Sequence, residues 1–189
     1  IKDVLKERNA PDFLLYLAIV ESKLSNRATS GAKAAGIWQF IPSTAKLHNL
    51  EVDKYVDERR DPLQATHAAI DYLERLKDRF GKWYLAILAY NAGEGKLSKA
   101  IKLAGSDDIM VLLNPKKKYL PLESRDYLRK IIMMAYVAND SDFLISKDSS
   151  MLNSATYIGI EKVDIPGGIS LRDVASTIGF SIDKLSQYN

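Results

Sequence analysis

The chain has no cysteine, only two histidines and no long apolar run. Without cysteine, disulfides and thiolate metal sites are excluded. The redox compartment stays open, because exported proteins can lack cysteine too. His48 and His67 have no ligand-like partner nearby in sequence, so no metal cluster is expected and nothing calls for a cofactor. The best apolar run, Phe13 to Val20, falls far short of the roughly 20 residues a membrane span needs. A large excess of either charge sign is also lacking. A net charge of +3 and a pI near 8.9 suit an acidic polymer. The basic residues are dispersed among acids, so nucleic-acid binding is not expected.

What is present reads as mainly α. The 189 residues suffice for one well-buried domain, or one domain with a small appendage. Pro11 and Asp12 open a helix running to about Leu24, and Ser25 to Ala35 reads as a loop. After Ile37 to Ile41, Ser43 or Thr44 is placed to cap a helix through about His48. Asp61 as N-cap, Pro62 as first helical residue and Gly81 just past the end bracket the clearest helix. Lys82 to Asn91, Lys96 to Ala104 and Glu123 to Asn139 follow as helices, with a break at Asn114-Pro115.

Three segments carry chemistry. Leu14, Leu17, Ala18 and Glu21 share one helical stripe, so a carboxyl is aimed where the core should be. A carboxyl in apolar surroundings is cheaper as an acid than as an anion, which raises its pKa and equips it to protonate a leaving oxygen. Gly36 to Pro42 comes next. Gly36 can adopt backbone angles closed to other residues, or let a ligand approach the main chain. Gln39 is polar inside an apolar run and needs a partner, either a sugar hydroxyl or acetamido group, or backbone. Trp38 reads as core. In Ala89-Tyr90-Asn91-Ala92-Gly93, a buried Tyr90 hydroxyl needs a partner, and a catalytic carboxyl would serve. Asn91 with Gly93 also fits an ordinary helix C-cap.

Together, Glu21-Ser22, Gly36-Ile37-Trp38-Gln39 and Ala89-Tyr90-Asn91-Ala92-Gly93 resemble the catalytic core of lytic transglycosylases in order and spacing. The segments Val56-Asp57-Glu58-Arg59-Arg60-Asp61-Pro62 and Tyr119-Leu120-Pro121-Leu122-Glu123-Ser124-Arg125-Asp126-Tyr127 extend the likeness, which covers about residues 10 to 137. It implies a goose-type, lysozyme-like helical domain. It also implies roles: Glu21 as the single acid/base, Ser30 as a contact to the catalytic region and substrate, Gln39 and Ile41 as cleft residues. Tyr90 would stand beside the reacting sugar, Asn91 belongs to the same motif, and Glu123 would line the groove. For Glu123, a helix N-terminal carboxylate favoured by the dipole is an equal reading. The family usually has Asn-Pro where Ser25-Asn26 stands, and often threonine where Ser124 stands. Asp61-Pro62 is explained by helix capping and receives no chemistry.

The resemblance implies peptidoglycan glycan strands as substrate. The β-1,4 bond between N-acetylmuramic acid and N-acetylglucosamine would be cut to leave a 1,6-anhydromuramyl end. It further implies a monomer in the periplasm or cell envelope. The chain begins at Ile1 rather than Met, as expected of a processed or trimmed chain, and outer-membrane anchoring through an earlier segment is compatible with this. A hydrolytic muramidase and a non-catalytic wall-binding protein are the rival functions.

The expected division is a catalytic domain over 1–139, a linker or extended arm over 140–157, and a small appendage over 158–189. Tyr157 to Ile165 alternates weakly, as a short strand would. Leu171, Val174, Ala175 and Ile178 then share a helix face, and Ser181 can cap a last short helix. This segment resembles the helical half of a LysM sugar-binding module. It reads as a truncated module, a degenerate tail on the catalytic domain, or a simple helical hairpin, and we take the second as the expectation.

Overall fold

A computed structural model describes residues 1–139 and 163–186, and helices dominate it. In chain order they are α1 (Lys2–Glu7), α2 (Leu14–Ser22), α3 (Pro42–Leu47), a 3-10 turn (Glu58–Arg60), α4 (Pro62–Phe80), α5 (Trp83–Ala92), α6 (Glu94–Ala104), α7 (Ile109–Leu112) and α8 (Leu122–Asn139). Two short helices follow, α9 (Leu171–Ile178) and α10 (Ile182–Leu185). The mainly α expectation holds: among the described residues there are isolated bridges but no strand.

The middle of the fold is α5. It is apolar nearly all round, and Leu85 to Ala89 are all buried. A helix of that composition must be covered on several sides. α4, α6 and α8 cover it, while α2 lies on α8 and α1 on α4. The clearest helix forms as its sequence dictates. Asp61 Oδ1 accepts from the amides of Leu63 and Gln64 at 2.8 and 3.0 Å, and Gly81 closes the far end at φ +81°.

Two local expectations are corrected, and one helix is added. α2 stops at Ser22 rather than Leu24, because Lys23 and Leu24 both take left-handed backbone angles (φ 55° and 62°) and turn the chain away. α3 starts at Pro42, whose fixed φ opens the helix, and no side chain caps it, so neither Ser43 nor Thr44 does so. A helix precedes Pro11: α1 buries Val4 and Leu5.

The loop between α2 and α3 is clamped from behind. Gly36 sits at φ +78°, and a Cβ there would lie 1.7 Å from the Arg59 carbonyl oxygen. The close approach is therefore by the protein's own main chain, not by a ligand. The Arg59 guanidinium is buried. It donates to the carbonyls of Lys33 and Phe40 at 2.7 and 3.0 Å, and it pairs with Asp57 at 2.7 Å. Arg60 donates to the Asn26 carbonyl and the Thr29 hydroxyl. Two successive arginines thus fix both ends of the loop.

In the C-terminal part, Ser170 and Asp173 form a capping box on α9, and Gly179 ends it at φ 71°. Ser181 caps α10, as expected. Arg27 donates to the Asp183 carbonyl at 3.0 Å. Residues 163–165 carry no strand. The rest of the expected strand and the expected linker lie outside the described residues.

Candidate active site

Glu21 ends the buried stripe of α2. Leu14, Leu17 and Ala18 are fully buried on the same face, and Glu21 itself is half-buried. Burial pushes its carboxyl up from 4.5 to about 7, against a hydrogen bond from Tyr127 that favours the charged form. The negative charge of Glu123 adds to the rise. Near neutral pH the group is therefore partly protonated, as a general acid requires.

Tyr127 comes from α8 and is buried. Its hydroxyl donates to Glu21 Oε1 at 2.5 Å. Burial and the adjacent Glu21 raise its own pKa well above 10, so it remains a donor. This corrects the expectation for Tyr90, whose hydroxyl donates instead to the Trp38 carbonyl at 2.7 Å. Tyr90 still lies within the field of Glu21. Its pKa is raised first by burial and next by that carboxylate.

Trp38 is core, as expected. It is fully buried, and its Nε1 donates to the Thr66 hydroxyl at 2.9 Å. Its carbonyl holds Tyr90, and the neighbouring Ile37 carbonyl accepts from the Ser22 hydroxyl at 2.8 Å. The Gly36 loop is thus tied both to the helix end that carries Glu21 and to α5. Gln39 takes a positive φ of 50°. Its amide donates to the carbonyls of Gly36 and Ala28, at 2.8 and 3.3 Å, so backbone satisfies those donors.

The remaining candidates sit further out. Ser30 is exposed, and its hydroxyl accepts from the Ala34 amide at 3.1 Å. Ile41 is 40% exposed at the start of α3. Asn91 is half-buried in the last turn of α5. Among the described residues no hydrogen bond joins these three directly to Glu21. Glu123 is exposed in the first turn of α8, and its charge reaches Glu21. The structure therefore gathers Glu21, Tyr90, Glu123 and the unanticipated Tyr127 into one electrostatic unit. Its framework is a carboxyl on one helix, a loop pinned by arginines, and phenols on two others. Among the described residues no cluster of His, Cys, Asp and Glu could hold a metal ion.

The family model of the transglycosylase SLT domain matches residues 1–112. The chain belongs to this family. The SLT match contains Glu21, the Gly36 loop and Tyr90, and ends before α8, which brings Glu123 and Tyr127. Similarity to whole proteins reaches further. The chain is 36% identical, over 194 aligned positions, to membrane-bound lytic murein transglycosylase D of Escherichia coli (strain K12), covering 98% of this chain and 40% of that protein. The protein of the same name from Escherichia coli O6:H1 gives the same figures. The chain thus spans about two fifths of the length of these curated relatives. The fold is the lysozyme-like one of SLT domains.

Proposed function

We propose that the protein is a peptidoglycan lytic transglycosylase with Glu21 as its single acid/base. The observation that carries this reading is the Glu21 carboxyl, raised to about 7 by burial at the end of an apolar stripe. Tyr127 engages Oε1 and leaves Oε2 to carry the proton. In the first step that proton passes to the oxygen of the β-1,4 bond between N-acetylmuramic acid and N-acetylglucosamine, and the bond to the anomeric carbon breaks. The muramyl N-acetyl oxygen or nearby groups stabilise the cationic sugar. In the second step the Glu21 carboxylate takes the proton of the same sugar's 6-hydroxyl, and that oxygen bonds to the anomeric carbon. A 1,6-anhydromuramyl end results, Glu21 is again protonated, and no water is consumed.

The intramolecular nucleophile gains in orientation over free water. Proton transfer of this kind contributes roughly 10²–10⁴-fold. Tyr90 and Tyr127, both held as neutral donors, supply fixed dipoles around the carboxyl. Ser30, Gln39, Ile41, Asn91 and Glu123 are proposed to contact the strand. Residues 1–139 are proposed as the catalytic part and 158–189 as a degenerate LysM-like tail. A monomer in the cell envelope, held at the outer membrane by a segment outside this sequence, fits the same reading.

The test is digestion of purified peptidoglycan with mass analysis of the released muropeptides. The chain yields 1,6-anhydro ends, and Glu21→Gln yields none while remaining folded. Turnover by Glu21→Gln at the rate of the unsubstituted chain removes the assignment. One observation favours a second reading: Glu123 is another carboxylate whose field reaches Glu21, and paired carboxylates serve ordinary glycosidases. Reducing ends among the products select that hydrolytic reading.

A further inference from the structure

Glu94 opens α6 directly after Gly93, which ends α5 at φ +89°. The corner between these helices therefore carries Tyr90 and Asn91 on one side and Glu94 on the other. Glu94 takes no part in the steps at Glu21, but two arginines of α4 grip it. Arg75 donates to Oε1 at 2.7 Å, and Arg79 pairs with Oε2. The Arg75 bond holds the Glu94 carboxyl below the usual carboxylate range, so the grip persists near neutral pH. Arg75 has a second contact: its guanidinium lies 5.1 Å over the Tyr72 ring. Tyr72 packs in turn on Tyr90, at 5.3 Å between centroids, and Tyr90 lies within the field of Glu21. Contacts thus run from Glu94 through Arg75 and Tyr72 to Tyr90.

The bracket is poorly placed to stabilise the fold. The Arg75 and Arg79 side chains are 51% and 52% exposed, and ion pairs made by such groups contribute little to stability. What a planar guanidinium does supply is direction, because its fork fixes the angle of approach to a carboxylate and to a ring face. Tyr90 is already tied at its hydroxyl to the Trp38 carbonyl, and Phe40 meets its ring at 6.2 Å. The Tyr72 contact adds a further restraint on that ring. A misplacement of about 1 Å around reacting atoms costs on the order of 10²-fold in rate, far more than the bracket is worth to folding. A second fork of the same make gives the contrast. Arg8 of the α1–α2 connection donates to Asp71 and Glu74 of α4 at 2.6 and 3.0 Å. Among the described residues, no ring contact engages Arg8.

We propose that Glu94 is a positioning residue for the reaction at Glu21, acting through Arg75 and Tyr72 to set the ring of Tyr90 beside the carboxyl. The inference rests on the proposed reaction for what that position is worth. Glu94 touches no substrate, and its effect falls on turnover rather than on binding of the strand.

The test joins kinetics on solubilised glycan strands to nuclear magnetic resonance of the tyrosine ring protons, with melting curves to verify folding. Glu94→Ala lowers kcat by about tenfold and leaves KM within about twofold, because the strand still binds and only the reacting geometry is lost. The Tyr90 ring signals move in the same variant. Glu94→Gln keeps an acceptor for Arg75 and recovers part of kcat. Tyr72→Leu combined with Glu94→Ala loses no more than the larger single loss, since both break one route. Arg8→Ala breaks the other fork and leaves kcat and the Tyr90 signals unchanged. Full kcat in Glu94→Ala overturns the proposal. So do unmoved Tyr90 signals, a loss carried by KM alone, additive losses in the double variant, or an equal loss in Arg8→Ala. The two readings separate. No cleavage by the unsubstituted chain removes the reaction, while Tyr90 signals that move in Glu94→Ala keep the hold of Glu94 on that ring. Cleavage with full kcat in Glu94→Ala does the reverse.

Discussion

Tyr127 and Glu21 stand 106 positions apart in the chain, and the phenol of one donates to the carboxyl of the other at 2.5 Å. The bond couples the end of α2 to the second turn of α8, and it sets how readily Glu21 gives up its proton. A hydrogen bond to the charged form of a carboxyl favours that form.

Tyr127→Phe removes this donor and leaves the ring in place. The Glu21 pKa then rises above about 7, because the opposing influence of burial is no longer offset. The alkaline limb of the kcat/KM profile, where the acid is lost, moves to higher pH. Orientation of the carboxyl is also weakened, so the maximal rate falls by about tenfold, as for a lost bond to a charged group. A pH–rate profile on solubilised glycan strands reads both effects. An alkaline limb that stays put or moves down contradicts the role given to Tyr127.

Glu123→Gln has the opposite sign. The Glu123 carboxylate raises the Glu21 pKa by repulsion between like charges. Neutralising it lowers the Glu21 pKa toward 4.5, and the alkaline limb moves to lower pH. Salt distinguishes this from a contact with substrate. Since Glu123 is exposed, its influence is screened, and high ionic strength shifts the unsubstituted profile in the same direction as the substitution. A limb insensitive to both changes means that Glu123 does not act on Glu21.

The parts of this arrangement that the sequence discloses are the local ones. Asp61, Pro62 and Gly81 announce α4 because a cap acts within one turn of its own helix. Glu21 is legible as a buried carboxyl because its helix repeats every three to four residues. The partner of that carboxyl is not legible. Tyr90 is a half-buried phenol and Tyr127 a buried one, and nothing in either neighbourhood states which one meets Glu21. α1 and α7 are too short for periodicity to register, although Asp108 caps α7 with bonds to Met110 and Val111. Gly36 is visible as a special backbone position, but the neighbour that requires it, Arg59, becomes adjacent only on folding.

Stability should fall with pH because of Glu21. Its carboxyl titrates near 7 in the folded chain and near 4.5 in the absence of its neighbours. Below 4.5 both folded and unfolded chains carry the proton, and the stabilisation is fully present. Between 4.5 and 7 the unfolded chain releases the proton while the folded chain keeps it, so unfolding gains. Above 7 the loss is complete, at roughly 3 kcal/mol. Glu21→Gln cannot ionise. It therefore matches the unsubstituted chain near pH 4.5 and exceeds it by up to roughly 3 kcal/mol at pH 8. Urea unfolding at the two pH values measures the difference. Equal gaps at both values mean that Glu21 titrates no differently in the fold than outside it.

Gly36→Ala tests the clamp behind the loop. The added Cβ would lie 1.7 Å from the Arg59 carbonyl oxygen, and the residue would remain at φ +78°. A left-handed alanine alone costs about 1–2 kcal/mol, and the clash adds a displacement of main chain against main chain. The combined cost is at least about 3 kcal/mol in urea unfolding. Gly31 is the control, since nothing lies within 4 Å of a Cβ there, and Gly31→Ala changes stability by no more than about 0.5 kcal/mol. Activity should follow stability in the first variant only. The loop that shifts carries the Ile37 carbonyl holding Ser22 and the Trp38 carbonyl holding Tyr90, so both flanks of Glu21 lose their register. Gly36→Ala that folds normally and keeps full turnover would show that the main-chain approach at Arg59 is not what sets the site.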